Sequence, residues 1–119
     1  MQNFNVFHLV ALIIIIVMIG LPIIFKLFPP KGINSIYGYR TCFSMLNEDT
    51  WQEANTYSTN MNLKISGFLT LIAIILFFVL PSMILVFILI ISMLASRFLT
   101  IYLTSKHLDK VFDKNGNRK

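Results

Sequence analysis

Charge is what this sequence has least of. Only 13% of its 119 residues are Asp, Glu, Lys or Arg, about half the share of an ordinary soluble domain. No Lys or Arg precedes Lys26, and none falls between Lys64 and Arg97. A net charge of +5 so segregated does not form the basic patch of a nucleic-acid module, and no direct nucleic-acid partner is expected. Cysteine is nearly absent: Cys42 has no partner for a disulfide framework and no spacing partner for zinc. Proline is sparse too, with four in the chain, and inside the long apolar stretch of the second half Pro81 is the one strong breaker.

What fills the chain instead is hydrocarbon. At 56% hydrophobic residues, one core of this size cannot hide the apolar surface from water, so the excess faces lipid. Leu9 to Phe25 carries no polar side chain, and a span over 4–25 is about 33 Å long as a helix, enough for a hydrocarbon core of about 30 Å. No basic stretch precedes it and no small-residue cleavage site follows, so it reads as an uncleaved anchor. Ile65 to Leu103 would be about 58 Å as one helix, nearly twice the core. It must fold back at Pro81-Ser82, giving spans near 61–80 and 83–103. The fold class is all-α: a polytopic membrane protein with three transmembrane helices, the last two a tight hairpin, as one membrane domain over 1–119. The lipid bilayer is its first partner.

Three spans place the loop over 26–60 and the basic tail over 104–119 on one side. All the cations outside the spans lie there, so the positive-inside rule puts the N-terminus outside and the tail in the cytoplasm. Arg97 lies about 6 Å inside the loop-side boundary and reads as a snorkelling anchor. Thr70, Ser66 and Asn62 on one arm, and Ser92, Ser96 and Thr100 on the other, stand at matching distances from Pro81. They predict facing stripes that permit close helix approach, unless the hydroxyls bond their own helix carbonyls instead. After Asp113 the tail lacks apolar residues and is expected to fray.

Information concentrates in the loop. Pro29-Pro30 ends the first helix, and Tyr37-Gly38-Tyr39-Arg40-Thr41 places a permissive glycine between two tyrosines beside an arginine. Asn47 is a good N-cap, with Glu48 and Asp49 in the first turn. The helix that follows carries Trp51 and Asn55 on one face; it either projects from the membrane or bends along its surface. Arg40 is a two-point donor for carboxylate or phosphate, or an ion-pair partner for Glu48, Asp49 or Glu53. The tyrosines suit interfacial anchoring equally, and the Trp51–Asn55 face serves either to hold a ligand or to fasten the loop.

The run Pro29-Pro30-Lys31, Asn34, Tyr37-Gly38-Tyr39-Arg40-Thr41, Ser44-Met45, Asn47, Trp51, Ala54-Asn55 resembles the signature of the SdpI family of small bacterial membrane proteins. The resemblance implies residence in the bacterial cytoplasmic membrane. It also implies immunity to an antimicrobial peptide, signalling through a transcriptional regulator held at the membrane, or both. The partners so implied are a peptide toxin or a cytoplasmic regulator, and the candidate binding residues are Tyr37, Gly38, Tyr39, Arg40, Thr41, Trp51 and Asn55. No catalytic constellation, metal set or cofactor motif is legible. His8 and His107 belong to opposite membrane edges and read as interfacial or solvated. A non-enzymatic role is therefore expected. The alternatives are a small oligomeric transporter or channel subunit, or a lipid-modifying accessory protein.

Overall fold

The structure, a computed structural model, describes residues 4–34 and 36–119. Three helices follow in order: α1 (Val6–Leu27), α2 (Glu48–Val79) and α3 (Ser82–Val111). All three are long and apolar enough to cross a membrane. Among the described residues no strand forms beyond one isolated bridge, between Phe112 and Arg118.

Local chemistry sets each boundary. Asn5 caps α1 by accepting from the Phe7 and His8 amides, while His8 Nδ1 accepts from the Asn5 amide at 3.1 Å. Two orphan donors of the first turn are thus satisfied reciprocally. This corrects the reading of His8 as interfacial or solvated: it is buried, stacked on Phe4 and edge-on to Phe77. Pro22 sits buried inside α1 without ending it. Asn47 caps α2 by accepting from the Thr50 amide at 2.9 Å, with Glu48 and Asp49 in the first turn, where carboxylates favour the helix dipole. Leu80 ends α2 in an extended conformation, and Pro81 opens α3. The hairpin turn therefore falls where the breaker stands.

The amphipathic segment and the second span are one unbroken helix. α2 runs for 32 residues, about 48 Å, so its first turns project beyond a hydrocarbon core of about 30 Å. α3 likewise continues past Leu103 to Val111. The molecule is a rod of 57 × 23 × 18 Å with two apolar clusters. One, nearer the Pro81 turn, joins Ala11, Ile15, Met18, Ala73, Leu85 and Leu89. The other, at the loop end, joins Ala54, Leu108 and Phe112 with Tyr39, Phe43 and Val111. Outside, Phe68, Leu71, Phe78, Ile91 and Phe98 are well exposed, as lipid-facing side chains are.

Asn62 and Ser66 of α2 are buried, as are Ser96, Thr100 and Thr104 of α3. Small and hydroxyl side chains therefore occupy the packed faces, as the stripe reading expects. The hydrogen bonds, however, stay local. Ser92 donates to Ile88 and Leu89 carbonyls, Ser96 to Met93, Thr100 to Ser96, and Ser66 to the Asn62 side chain. Close approach is what these residues supply; the hydroxyls of Ser66, Ser92, Ser96 and Thr100 are satisfied within their own helices, whereas those of Thr70 and Thr104 are buried without a partner among the described residues.

The tail does not fray. Phe112 is buried, and Gly116 adopts φ +82° to close a turn whose carbonyl accepts from Asn47 Nδ2 at 2.9 Å. Arg118 lies over the Phe112 ring and donates to both oxygens of Asp49 at 2.9 and 2.8 Å. An anchoring phenylalanine and a positive-φ glycine supply what the polar composition alone hides.

Candidate functional site

The loop between α1 and α2 is built against both later helices. Tyr37 donates its hydroxyl to the Phe28 carbonyl and sets its ring 4.7 Å from Phe25. Gly38 adopts φ +111°, and a Cβ there would lie 2.6 Å from Asn55 Oδ1 and 2.9 Å from Pro30 Cγ. Both its conformation and its space demand glycine. Tyr39 then reaches two helices at once. Its amide donates to Asn55 Oδ1 of α2 at 2.6 Å, and its hydroxyl lies 3.3 Å from the Ile101 carbonyl and 3.2 Å from Ser105 Oγ of α3.

Asn55 is the centre of this fastening. Its amide nitrogen donates to the Tyr39 carbonyl and, at 2.9 Å, to the Trp51 carbonyl one turn back. Trp51 is completely buried, and its indole N–H has no acceptor among the described residues. Thr41 and Ser44 close a reciprocal turn, and the Thr50 hydroxyl donates to the Ser44 carbonyl. Tyr37, Gly38, Tyr39, Trp51 and Asn55 thus act as one structural clasp. Of the two roles open to the Trp51–Asn55 face, the bonds made by Asn55 are those of a fastening.

Arg40 and Thr41 emerge from the clasp onto a cavity of about 270 Å³. Its other walls include Ser58, Thr59 and Asn62 of α2, and Arg97, Thr100 and Ile101 of α3. Arg97 stands about 24 Å along the helix from Pro81. It shares the lining of this cavity with Arg40, a neighbourhood that no local sequence signal marks. No acidic side chain is among the described residues lining the cavity.

The acids of α2 are engaged elsewhere. Glu53 lies 2.7 Å from His107 Nε2, whose ring stacks on Tyr57 at 4.0 Å, and Glu53 also meets Arg118 at 3.4 Å. Of the acids considered as partners for Arg40, Asp49 pairs with Arg118 and Glu53 with His107 and Arg118, so His107 is not simply solvated. Hydrogen bonding to Asp49 raises the Arg118 pKa above its ordinary value. Among the described residues no cluster of three or more His, Cys, Asp or Glu could hold a metal. Cys42 is free and exposed.

Three spanning helices with a clasped loop at one end define a small multi-pass membrane protein. A family model described as the SdpI/YfhL protein family matches residues 31–101, more than half of the chain, from the loop through most of the hairpin. The chain belongs to that family. It is also similar to the uncharacterized protein YfhL of Bacillus subtilis (strain 168), at 59% identity over 39 residues, 33% of this chain and 36% of that relative. That match spans about a third of the relative's length. No solved structure gives a significant match.

Proposed function

We propose that this chain is a non-enzymatic membrane protein of the resistance and signalling type, acting through its loop end. The observation that carries the reading is the cavity that Arg40 and Arg97 line together, at the loop end of the molecule, with no acidic side chain among its described lining residues. A guanidinium offers a planar fork for carboxylate or phosphate, so the cavity suits an anionic group. Membership of the SdpI family supports peptide immunity, with or without signalling through a regulator, as the cellular role. The distribution of cations supports an orientation with the loop end in the cytoplasm of a bacterial inner membrane. On that orientation the loop reports to the cell interior, and an external toxin is met from within the bilayer or at the Pro81 turn.

Deleting the gene is expected to raise sensitivity to a membrane-active antimicrobial peptide. Arg40→Ala and Arg97→Ala, with the protein still accumulating in membranes, are expected to copy the deletion. Unchanged sensitivity of the deletion strain across a panel of such peptides would remove immunity as the role.

A further inference from the structure

The cavity lies at a particular depth, and depth identifies a ligand. Its floor, at Arg97 and Thr100, is about 24 to 29 Å along α3 from Pro81, at the loop-side edge of a hydrocarbon core of about 30 Å. The Tyr39–Thr41 segment closes it from the side beyond that edge. The headgroup layer begins here, and lipid phosphates lie within it.

Its walls are amphipathic in the same sense. Ile101 lines the cavity and is 46% exposed on the outer surface of α3, next to the still more exposed Phe98 and Tyr102. Phe25 of α1 forms another apolar wall. An acyl chain can therefore lie along the helix surface while its headgroup enters between the arginines. A free soluble anion would gain nothing from that apolar border.

The polar lining matches phosphate. Two arginines and no acidic residue are among the described residues lining this concave space, so it favours an anion, and low-dielectric walls concentrate the field. Asn62 is only 6% exposed, and its Oδ1 accepts from Ser66 on one edge of the amide. The opposite edge bears the NH2 donors of a side chain that lines the cavity. Thr59 adds a hydroxyl.

We infer that this cavity binds the phosphate of a membrane lipid, and that it prefers a phosphomonoester headgroup. The preference follows from charge: a monoester carries about −1.5 to −2 at neutral pH, matching two arginines, whereas a diester carries one negative charge. Arg40 and Arg97 clamp the phosphate, and Asn62 and Thr59 add neutral donors. The inference rests on the reading of this cavity as the working site and gives that site a ligand class.

The test uses the full chain purified in detergent and mixed with equal amounts of phosphatidic acid, phosphatidylglycerol and phosphatidylcholine. Retained lipids are counted by native mass spectrometry. Phosphatidic acid is expected to be retained over phosphatidylcholine by about tenfold or more, the scale of one charged hydrogen bond, with phosphatidylglycerol between them. Arg40→Gln and Arg97→Gln should each remove most of that preference. Lys114→Gln, the same change of charge on the exposed tail, should leave it intact. Equal retention of the three lipids by the unsubstituted chain would overturn the inference without any variant having to fold. So would a preference surviving in Arg40→Gln/Arg97→Gln, or displacement of phosphatidic acid by millimolar inorganic phosphate, which would make the ligand a soluble anion. Peptide sensitivity plays no part in this readout, so the lipid inference can fail while the immunity reading stands, and the reverse.

Discussion

Asn55 holds the Tyr39 peptide from both sides, accepting from its N–H at 2.6 Å and donating to its carbonyl at 3.3 Å. A single carboxamide on α2 therefore does for the loop what a neighbouring strand would do, pairing both backbone groups of one residue. Asn55→Ala leaves the Tyr39 amide and the Trp51 carbonyl without this partner, at a cost of about 1–3 kcal/mol for a buried group left unmade. Asn55→Asp keeps the acceptor but loses both donated bonds, so it should not restore stability. Thermal unfolding in detergent measures both.

Glycine substitutions separate conformation from composition in the same loop. At Gly38, with φ +111° and a prospective Cβ 2.6 Å from Asn55 Oδ1, alanine meets backbone strain and a collision together. A loss of about 1–3 kcal/mol from the strain alone is expected. Gly32 has only Glu48 Oε1 nearby, at 3.8 Å, so Gly32→Ala should fall within about 0.5 kcal/mol of the parent. Equal effects would show that the clasp does not need its positive φ.

The docked tail predicts an unequal pair of effects. Arg118 and Asp49 are each about half exposed, and a solvent-screened ion pair of that kind adds little to stability. Phe112 is buried against Ala54 and Leu108, and Phe112→Ala should cost about 3–5 kcal/mol. Proteolysis of the tail should accelerate far more in Phe112→Ala than in Arg118→Ala. The pH dependence has a definite sign. Because docking raises the Arg118 pKa, its contribution is fully present below the unfolded pKa and is lost only as pH rises through the folded one. Titrating Arg118 should therefore leave the ion pair intact through the neutral range and remove its small contribution only in strong alkali, with Phe112 still holding the tail. High salt should weaken the ion pair at any pH.

Hairpin packing is testable by bulk. Ser66 and Ser96 are 2% and 5% exposed, and leucine at either overfills a close helix contact, at about 1–3 kcal/mol. Ser92 is only partly buried, and its hydroxyl is already bonded to Ile88 and Leu89 of its own helix. Ser92→Leu should be tolerated. Melting temperatures of the three variants in one detergent decide the matter.

Cys42 is free and exposed at the loop end, so it reports the proposed orientation. An impermeant maleimide should leave it unlabelled in intact cells and label it in inverted membrane vesicles. Labelling from outside intact cells would place the loop, and the arginine cavity with it, on the exterior face.

Signals that act over one or two turns of chain were legible in the residues. Asn47 with its acidic first turn marked the start of α2, the length of the apolar run required a reversal, and Pro81 marked where. The loop motif marked residues that the structure gathers into one clasp, and Gly38 marked a special backbone conformation. Legibility ended where partners are distant in sequence. The Asn5–His8 capping box is local, but nothing near His8 in sequence marks the burial of its ring against Phe77. A tail without apolar residues after Asp113 looks unfastened until Phe112 and Asp49 are placed beside it. Arg97 carries no mark of company, and its neighbour Arg40 arrives through the Tyr39 clasp, which ties two helices and the loop at once.

The tail contacts also fix an order of events during synthesis. Asn47 and Asp49 meet Gly116 and Arg118 across a separation of 69 residues, and the entire hairpin lies between. The first helix and loop therefore leave the ribosome well before the segment that completes their packing exists. Throughout insertion of the hairpin the Asp49 carboxylate stays in water without its arginine, and the Phe112 site stays open. Packing of the loop end accordingly waits on long-range closure rather than on the rapid local formation of its helices.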